Sequence, residues 1–467
     1  MAWRAEQPKM LGGSAVHLRA DDRLGVRDSR LGVGTLALPP RRCVALGFVF
    51  VAAMPVRLWF TLGPFNTLTI LDIVLWLFAG GWLVVSRTKR LSVGPPSLFL
   101  ALCTPVVVAM LSLGWTHDTI ATGKAIFYSS TVLLAYLVPL NLHRQCTSQL
   151  IARMMVLFLL VTVMVPFLYW LGVPFGWSDL GVLPAGAGDL RSSTDAVRSA
   201  RLDSPFLGRS NDLAATLALY MLFFTGLSLA IRRARYARLA FVGALGLVLT
   251  LSRGVILAAG TVMAMALLKQ RRFKNLLKAA TAAGVLVLAG YFFMVAANHS
   301  GIDLLADRLL DPSNISNRME RLTTAVHMIG NAPLLGYGGG RFIRKNVATL
   351  DSAFHNTYLE QWAAYGLLFG SIVVIALLTL PWPFFRSAGK QDAIGTVARF
   401  IGYAIVLFLL ICTNQTANEA AIPSLMFRLF LGYAVAYVGA LRREQRQAQE
   451  GATPHDGATG YRPCQLE

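Results

Sequence analysis

Apolar blocks long enough to cross a lipid bilayer recur from one end of this chain to the other, and no other feature narrows its fold so far. They lie at about residues 43–60, 67–85, 96–114, 124–141, 149–171, 212–231, 237–251, 254–268, 277–297, 355–384, 395–413 and 421–441. A helix needs about 20 residues to span the hydrocarbon layer, and only helices or closed barrels satisfy every backbone group there. The blocks therefore predict an all-α, polytopic membrane protein of about twelve transmembrane helices. Composition agrees. Only 14% of the 467 residues are charged, against roughly 25% in soluble domains. The blocks 237–251 and 254–268 are short and meet at Leu251, Ser252, Arg253 and Gly254. They are expected to be two tilted helices joined by a tight turn.

A net charge of +20 in a soluble protein would suggest a nucleic-acid partner. Here the charge is distributed by side. One set of alternate connections carries Arg87, Lys89 and Arg90, then Arg144, then Arg232, Arg233, Arg235 and Arg238, then Lys269, Arg271, Arg272, Lys274 and Lys278, then Arg386 and Lys390. The C-terminal tail adds Arg442, Arg443 and Arg446. The other short connections hold Arg57, Lys124 and Arg253. Because cationic loops stay in the cytoplasm, this alternation puts both termini there and predicts no nucleic-acid partner. The implied order is a basic, disordered tail over 1–40, nine helices over 41–297, a large outside loop over 298–354, three helices over 355–441, and a second tail over 442–467. Residues 1–40 lack the early apolar region of a signal peptide. The five cysteines are scattered without metal or disulfide spacing, and suit packing.

Polar residues on the outside then have most to explain. The loop 298–354 predicts a short amphipathic helix at the membrane surface. Asn317 can cap it, with Glu320 three residues on. Met319, Leu322, Val326 and Ile329 form an apolar stripe, and Asn331 and Pro333 end it. Arg318 and Arg321 then fall in its first turn, where the dipole disfavours cations by about 0.3–1 kcal/mol but free N–H groups favour an anion. A phosphate between them would reconcile the two. Arg253 stands against the charge bias, either snorkelling to the interface or meeting an anion. Arg201 and Arg209 precede the helix that starts near Asp212. His355 opens the next span; it is either an interfacial anchor or, held neutral by the helix dipole, a general base. No second and third metal ligand accompany it. Gly366 and Gly370 suit a helix-packing face. Gly336, Gly338, Gly339 and Gly340 suit a turn. The spans hold little charge away from their ends, Asp72 being the main exception, which weighs against a transporter.

Four stretches in order resemble the O-antigen ligase and polymerase superfamily. They are Arg201 to Ala214, in which Arg209 and Leu213 fit an R-x3-L pattern; Ser252, Arg253 and Gly254; Arg318 followed by Ala332 to Phe342; and His355 with Gly366 eleven positions on, an H-x10-G pattern. Leu322 stands where that family often carries Trp. The resemblance implies a GT-C-like bacterial inner-membrane glycosyltransferase with a large periplasmic loop, needing no metal or other cofactor. Its partners would be an undecaprenyl-diphosphate-linked glycan as donor, lipid A–core or another glycan as acceptor, and membrane lipid. Carried onto this chain, His355 would be the catalytic base, and Arg253, Arg318 and Arg209 would bind the diphosphate. Ligation, polymerisation of lipid-linked repeats, and flipping or transport of a lipid-linked glycan are the three activities considered, with ligation favoured.

Orientation is directly testable. In a cysteine-free background, single cysteines at positions 318 and 355 are expected to react with an impermeant thiol reagent from the periplasmic side. Labelling from the cytoplasm alone would invert the topology.

Overall fold

A computed structural model of the chain describes residues 49, 60–62, 65–68, 70–85, 91–116, 118–144, 146–172, 210–250, 252–269, 313–340, 354, 356–387, 392–413 and 422–451. Nearly all of block 43–60, all of block 277–297, the tail 1–40, residues 452–467 of the tail 442–467, and most of the predicted outside loop 298–354 lie outside these residues. Within the described residues the protein is helical apart from one hairpin. Its strands, β1 (Phe60–Leu62) and β2 (Phe65–Leu68), are antiparallel, pairing Phe60 with Leu68 and Leu62 with Phe65. They precede α1 (Ile70–Val85).

The predicted blocks from 67 to 268 and from 355 to 441 coincide with helices: α1, α2 (Pro96–Leu111), α3 (Thr119–Leu142), α4 (Ser148–Gly172), α5 (Ser210–Ile231), α6 (Ala234–Leu249), α7 (Arg253–Lys269), α9 (Thr357–Thr379), α10 (Trp382–Ser387), α11 (Ala393–Cys412) and α12 (Ile422–Gly451). The loop helix is α8 (Ser313–Asn331). Side-chain caps fix several starts. Asp118 accepts from the Ala121 amide at 2.8 Å, Asn356 from Leu359 at 3.0 Å, and Asp392 from Gly395 at 2.6 Å, each satisfying an N–H the helix leaves orphaned. Seven helical stretches among the described residues are long and apolar enough to cross a membrane. At 16 residues for α1 and α6 and 17 for α7, the other three are shorter. The expected tight junction is present: α6 ends at Leu249 and α7 begins at Arg253.

α5, α11 and α12 form the centre. Small residues let the helices approach. Gly226 of α5 faces Phe400 of α11, and a β-carbon there would lie 2.5 Å from the Phe400 Cβ. Gly432 of α12 rests on the α3 backbone at Tyr136. Phe408 of α11 stacks flat on Phe427 of α12, 3.8 Å between centroids. α5 and α6 form a tight antiparallel hairpin, with Gly243 against Met221 and Gly246 against Leu217. Its turn passes through Arg232 at φ 56°. The periphery is apolar and exposed, as lipid contact requires: Leu100, Val107 and Met110 on α2, Leu160, Met164 and Leu168 on α4.

Close approach at Gly226 makes a sharp prediction. Gly226→Val should force α5 from α11 and lower the Tm of the detergent-solubilised protein by several degrees, an overpacking cost of about 1–3 kcal/mol. Gly123→Ala, where a β-carbon meets nothing within 4 Å, should not. Equal effects would remove α5–α11 packing as the cause.

Candidate functional site

The 355–384 block is not one continuous span. α9 breaks at Gly366, whose φ of 68° and ψ of 177° lie outside helical values. Breaking a helix orphans carbonyls before the break and N–H groups after it, which lipid cannot satisfy. The chain that follows α8 supplies both. Tyr337 and Gly338 donate their amides to the carbonyls of Ala363 (3.4 Å) and Ala364 (2.7 Å). Pro333 and Leu334 accept from the amides of Leu367 (2.7 Å) and Leu368 (3.3 Å). The glycine cluster makes this path possible: Gly336, Gly338, Gly339 and Gly340 all have positive φ. It is a turn, as expected, but a turn inserted into a helix. Gly366 is therefore a break and not a helix-packing face. A β-carbon on it would overlap the backbone of Leu334 and Leu335. Beyond the break, Gly370 closes on the Gln361 carbonyl, and Trp362 Nε1 donates to Ser371 Oγ at 3.1 Å, so the two halves are sharply bent.

The inserted turn also holds the end of the bundle. Gly338 packs on Thr116 and Gly339 on Ala121, and the Thr116 hydroxyl reaches the Tyr337 carbonyl at 3.4 Å. Trp115 stacks on Phe369 at 5.0 Å. α8 lies against the first half of α9 through a small core of Ala325, Met328, Phe354 and Ala363. This corrects the predicted stripe. Met319 and Val326 are exposed, whereas Ala325 and Met328 are buried, because the small Ala325 side chain permits close contact. α8 also starts at Ser313, not after Asn317. Asp311 and Pro312 were the missed start signal. Arg318 and Arg321 consequently lie in the second and third turns, beyond the strong reach of the helix dipole.

The four predicted site residues divide as follows. Arg253 is the first residue of α7 and is exposed. Its neighbour Ser252 donates to Asn211 Oδ1 at 2.7 Å. That bond ties the Ser-Arg-Gly element to the start of α5, the segment that carries Arg209. Arg318 has its backbone in α8; its side chain lies outside the described residues, as do Arg209 and His355. Both neighbours of position 355 are fixed, however: Phe354 is buried and Asn356 caps α9.

Two charged residues here escaped the sequence analysis. Glu360, in the first turn of α9, is 1% exposed. Arg428, in the interior of the 421–441 block, is 4% exposed. A single Arg between Phe427 and Leu429 was the available signal. α9 and α11 meet at this same end: the Tyr358 hydroxyl donates to the Leu409 carbonyl at 2.8 Å, and Cys412 is hydrogen-bonded to Thr357.

Gly366→Ala places a side chain at positive φ and against backbone, a strain of about 1–3 kcal/mol before the clash is counted. It should lower the Tm by several degrees and abolish activity. Gly330→Ala, which meets nothing within 4 Å, serves as control. An unchanged Tm in the Gly366 variant would show that the break is dispensable.

Comparison with known proteins adds one family. No curated protein matches the chain. Residues 238–375 match the family model described as O-antigen ligase, a segment that holds Arg253, Arg318, the inserted turn, position 355 and Gly366. Over that segment this chain, a multi-pass membrane protein, is similar to the O-antigen ligase family.

Proposed function

We propose that the protein is a glycosyltransferase of the bacterial inner membrane that works at the periplasmic face. It takes a glycan from undecaprenyl diphosphate and passes it to an acceptor hydroxyl, in O-antigen ligation to lipid A–core. One observation carries this reading. The segment matched by the family model ends in a helix that is broken and backbone-stitched eleven residues after His355, an arrangement that supports His355 as the base.

In the reaction, the acceptor hydroxyl gives its proton to His355 while its oxygen bonds to the anomeric carbon of the donor sugar. The bond from that carbon to the phosphate oxygen breaks, and the lipid diphosphate leaves. Arg253, Arg318 and Arg209 stabilise the charge that develops on it, as guanidinium groups do with phosphate oxygens. The protons and charges balance without a metal ion or other cofactor.

His355→Ala is expected to cut glycan transfer by about 10²-fold or more while the protein still inserts. Arg253→Ala and Arg318→Ala should raise the donor KM. Normal transfer by the histidine variant would end the general-base role, and unchanged donor kinetics in both arginine variants would end the clamp. Deleting the gene separates the activities. Lipopolysaccharide core without long chains, with polymer accumulating on the carrier, is the ligase outcome. Core bearing one repeat unit would instead mean a polymerase.

A further inference from the structure

Arg428 is a cation in the wrong place for a structural residue. It lies about 9 Å along α12 from its start at Ile422, at 1.5 Å per residue, inside a membrane-spanning stretch. Its side chain is 4% exposed, and its Nε and Nη1 are buried with no hydrogen-bond partner among the described residues. A guanidinium has no neutral form to retreat to. Charges at this depth are expensive and are retained where they serve a substrate or ion path. The surroundings offset little of that cost. The guanidinium carbon sits 5.4 Å from the Phe427 ring centroid, and Phe427 is itself locked flat on Phe408. The titratable group facing Arg428 is Cys412, whose sulfur is hydrogen-bonded to Thr357. Thr357 is the first residue of α9, immediately after the Asn356 cap and two residues after His355. The unspent donors of Arg428 thus lie beside the helix start that carries the proposed base.

We propose that Arg428 is a further phosphate-binding residue, engaging a phosphoryl oxygen of the lipid diphosphate from the membrane-facing side of the site. This rests on the donor assigned under Proposed function. Arg428 differs in kind from Arg253. Arg253 is exposed at a helix start, where water can solvate it. Arg428 is buried, with Nε and Nη1 unpartnered among the described residues, so an arriving anion gains a strong interaction there. The arrangement costs stability in the empty protein and returns it on binding, the usual direction of conflict between site and scaffold.

The test uses the full-length protein in lipid nanodiscs, with undecaprenyl diphosphate, inorganic diphosphate and undecaprenol as separate probes. Wild type should bind undecaprenyl diphosphate and gain Tm, with no gain from undecaprenol. Arg428→Met should bind the lipid diphosphate at least tenfold more weakly and lose the ligand-induced rise, while its unliganded Tm equals or exceeds that of wild type. Arg428→Lys, which keeps the charge but not the planar fork, should fall between. Competition by inorganic diphosphate in wild type and not in Arg428→Met would locate the contact at the phosphates. If Arg428→Met binds as wild type does, or if both variants merely unfold at lower temperature with ligand binding intact, the inference is overturned while the donor stands. If wild type binds no lipid diphosphate, the donor assignment fails and this inference with it.

Discussion

Four backbone hydrogen bonds across the break at Gly366 hold the architecture of the candidate site. A helix interrupted within a bilayer is unstable unless something replaces the lost ladder, because lipid offers neither donors nor acceptors. Here residues 333–338 do so from both sides of the break. The replacement fixes three things together: the direction of the first half of α9, the seat of α8, and the packing of the turn onto Thr116 and Ala121. The first half of α9 carries the start that follows position 355, so the placement of the proposed base depends on chain more than fifteen residues before it. This gives a physical reading of the H-x10-G spacing, in which Gly366 follows His355 by eleven positions. The glycine is needed for the bend, and the bend sets the first half of α9.

Around that feature the bundle is arranged so that helix ends with chemical capacity meet. The starts of α5 and α7 are tied by Ser252 and Asn211. The start of α9 rests on the end of α11 through Tyr358 and Thr357. α12 brings Arg428 alongside. Towards the other end the contacts are of a different kind. Glu444 of α12 accepts from the Ser148 amide and hydroxyl at 2.7 and 2.6 Å, and Arg443 donates to the Cys146 carbonyl at 3.3 Å. These are helix-start and turn contacts that join α12 to α4 where the basic connections gather. One end of the bundle is built for fastening, and the other presents buried or exposed charge.

Within the described residues, sequence periodicity located the helices well because apolar blocks must approach a minimum length to cross a bilayer. It located the α6–α7 junction for the same reason: Arg253 interrupts the apolar run. It failed where structure comes from contacts distant in sequence. Residues 355–384 look like one long apolar helix, and nothing in their hydropathy marks Gly366 as a break; the partner strand of chain at 333–338 is what allows it. The α8 stripe was misjudged on similar grounds. Periodicity ranks Val326 above Ala325, but packing against Phe354 and Ala363 selects the smaller residue. Arg428 was overlooked because a window average dilutes one cation among a dozen apolar neighbours. His355, Arg253, Arg318 and Arg209 were reached through charge placement and family resemblance, and of these Arg253 has a described side chain.

The half of α9 beyond the break has one further property. Leu368, Ile372, Ile375 and Leu378 recur at helical spacing and are each between 46% and 60% exposed, an apolar face suited to border acyl chains, next to the inserted turn. A molecule with a charged head and a long isoprenoid tail would then not have to leave the bilayer to reach the site. Pulling such a tail into water costs about 0.8 kcal/mol for every methylene, a sum no cluster of arginines could recover. With lipid forming one wall of the proposed site, the proposed donor would not meet that cost. Its arrival would then be a search in two dimensions, governed by how many carriers share the leaflet and how fast they drift past α9.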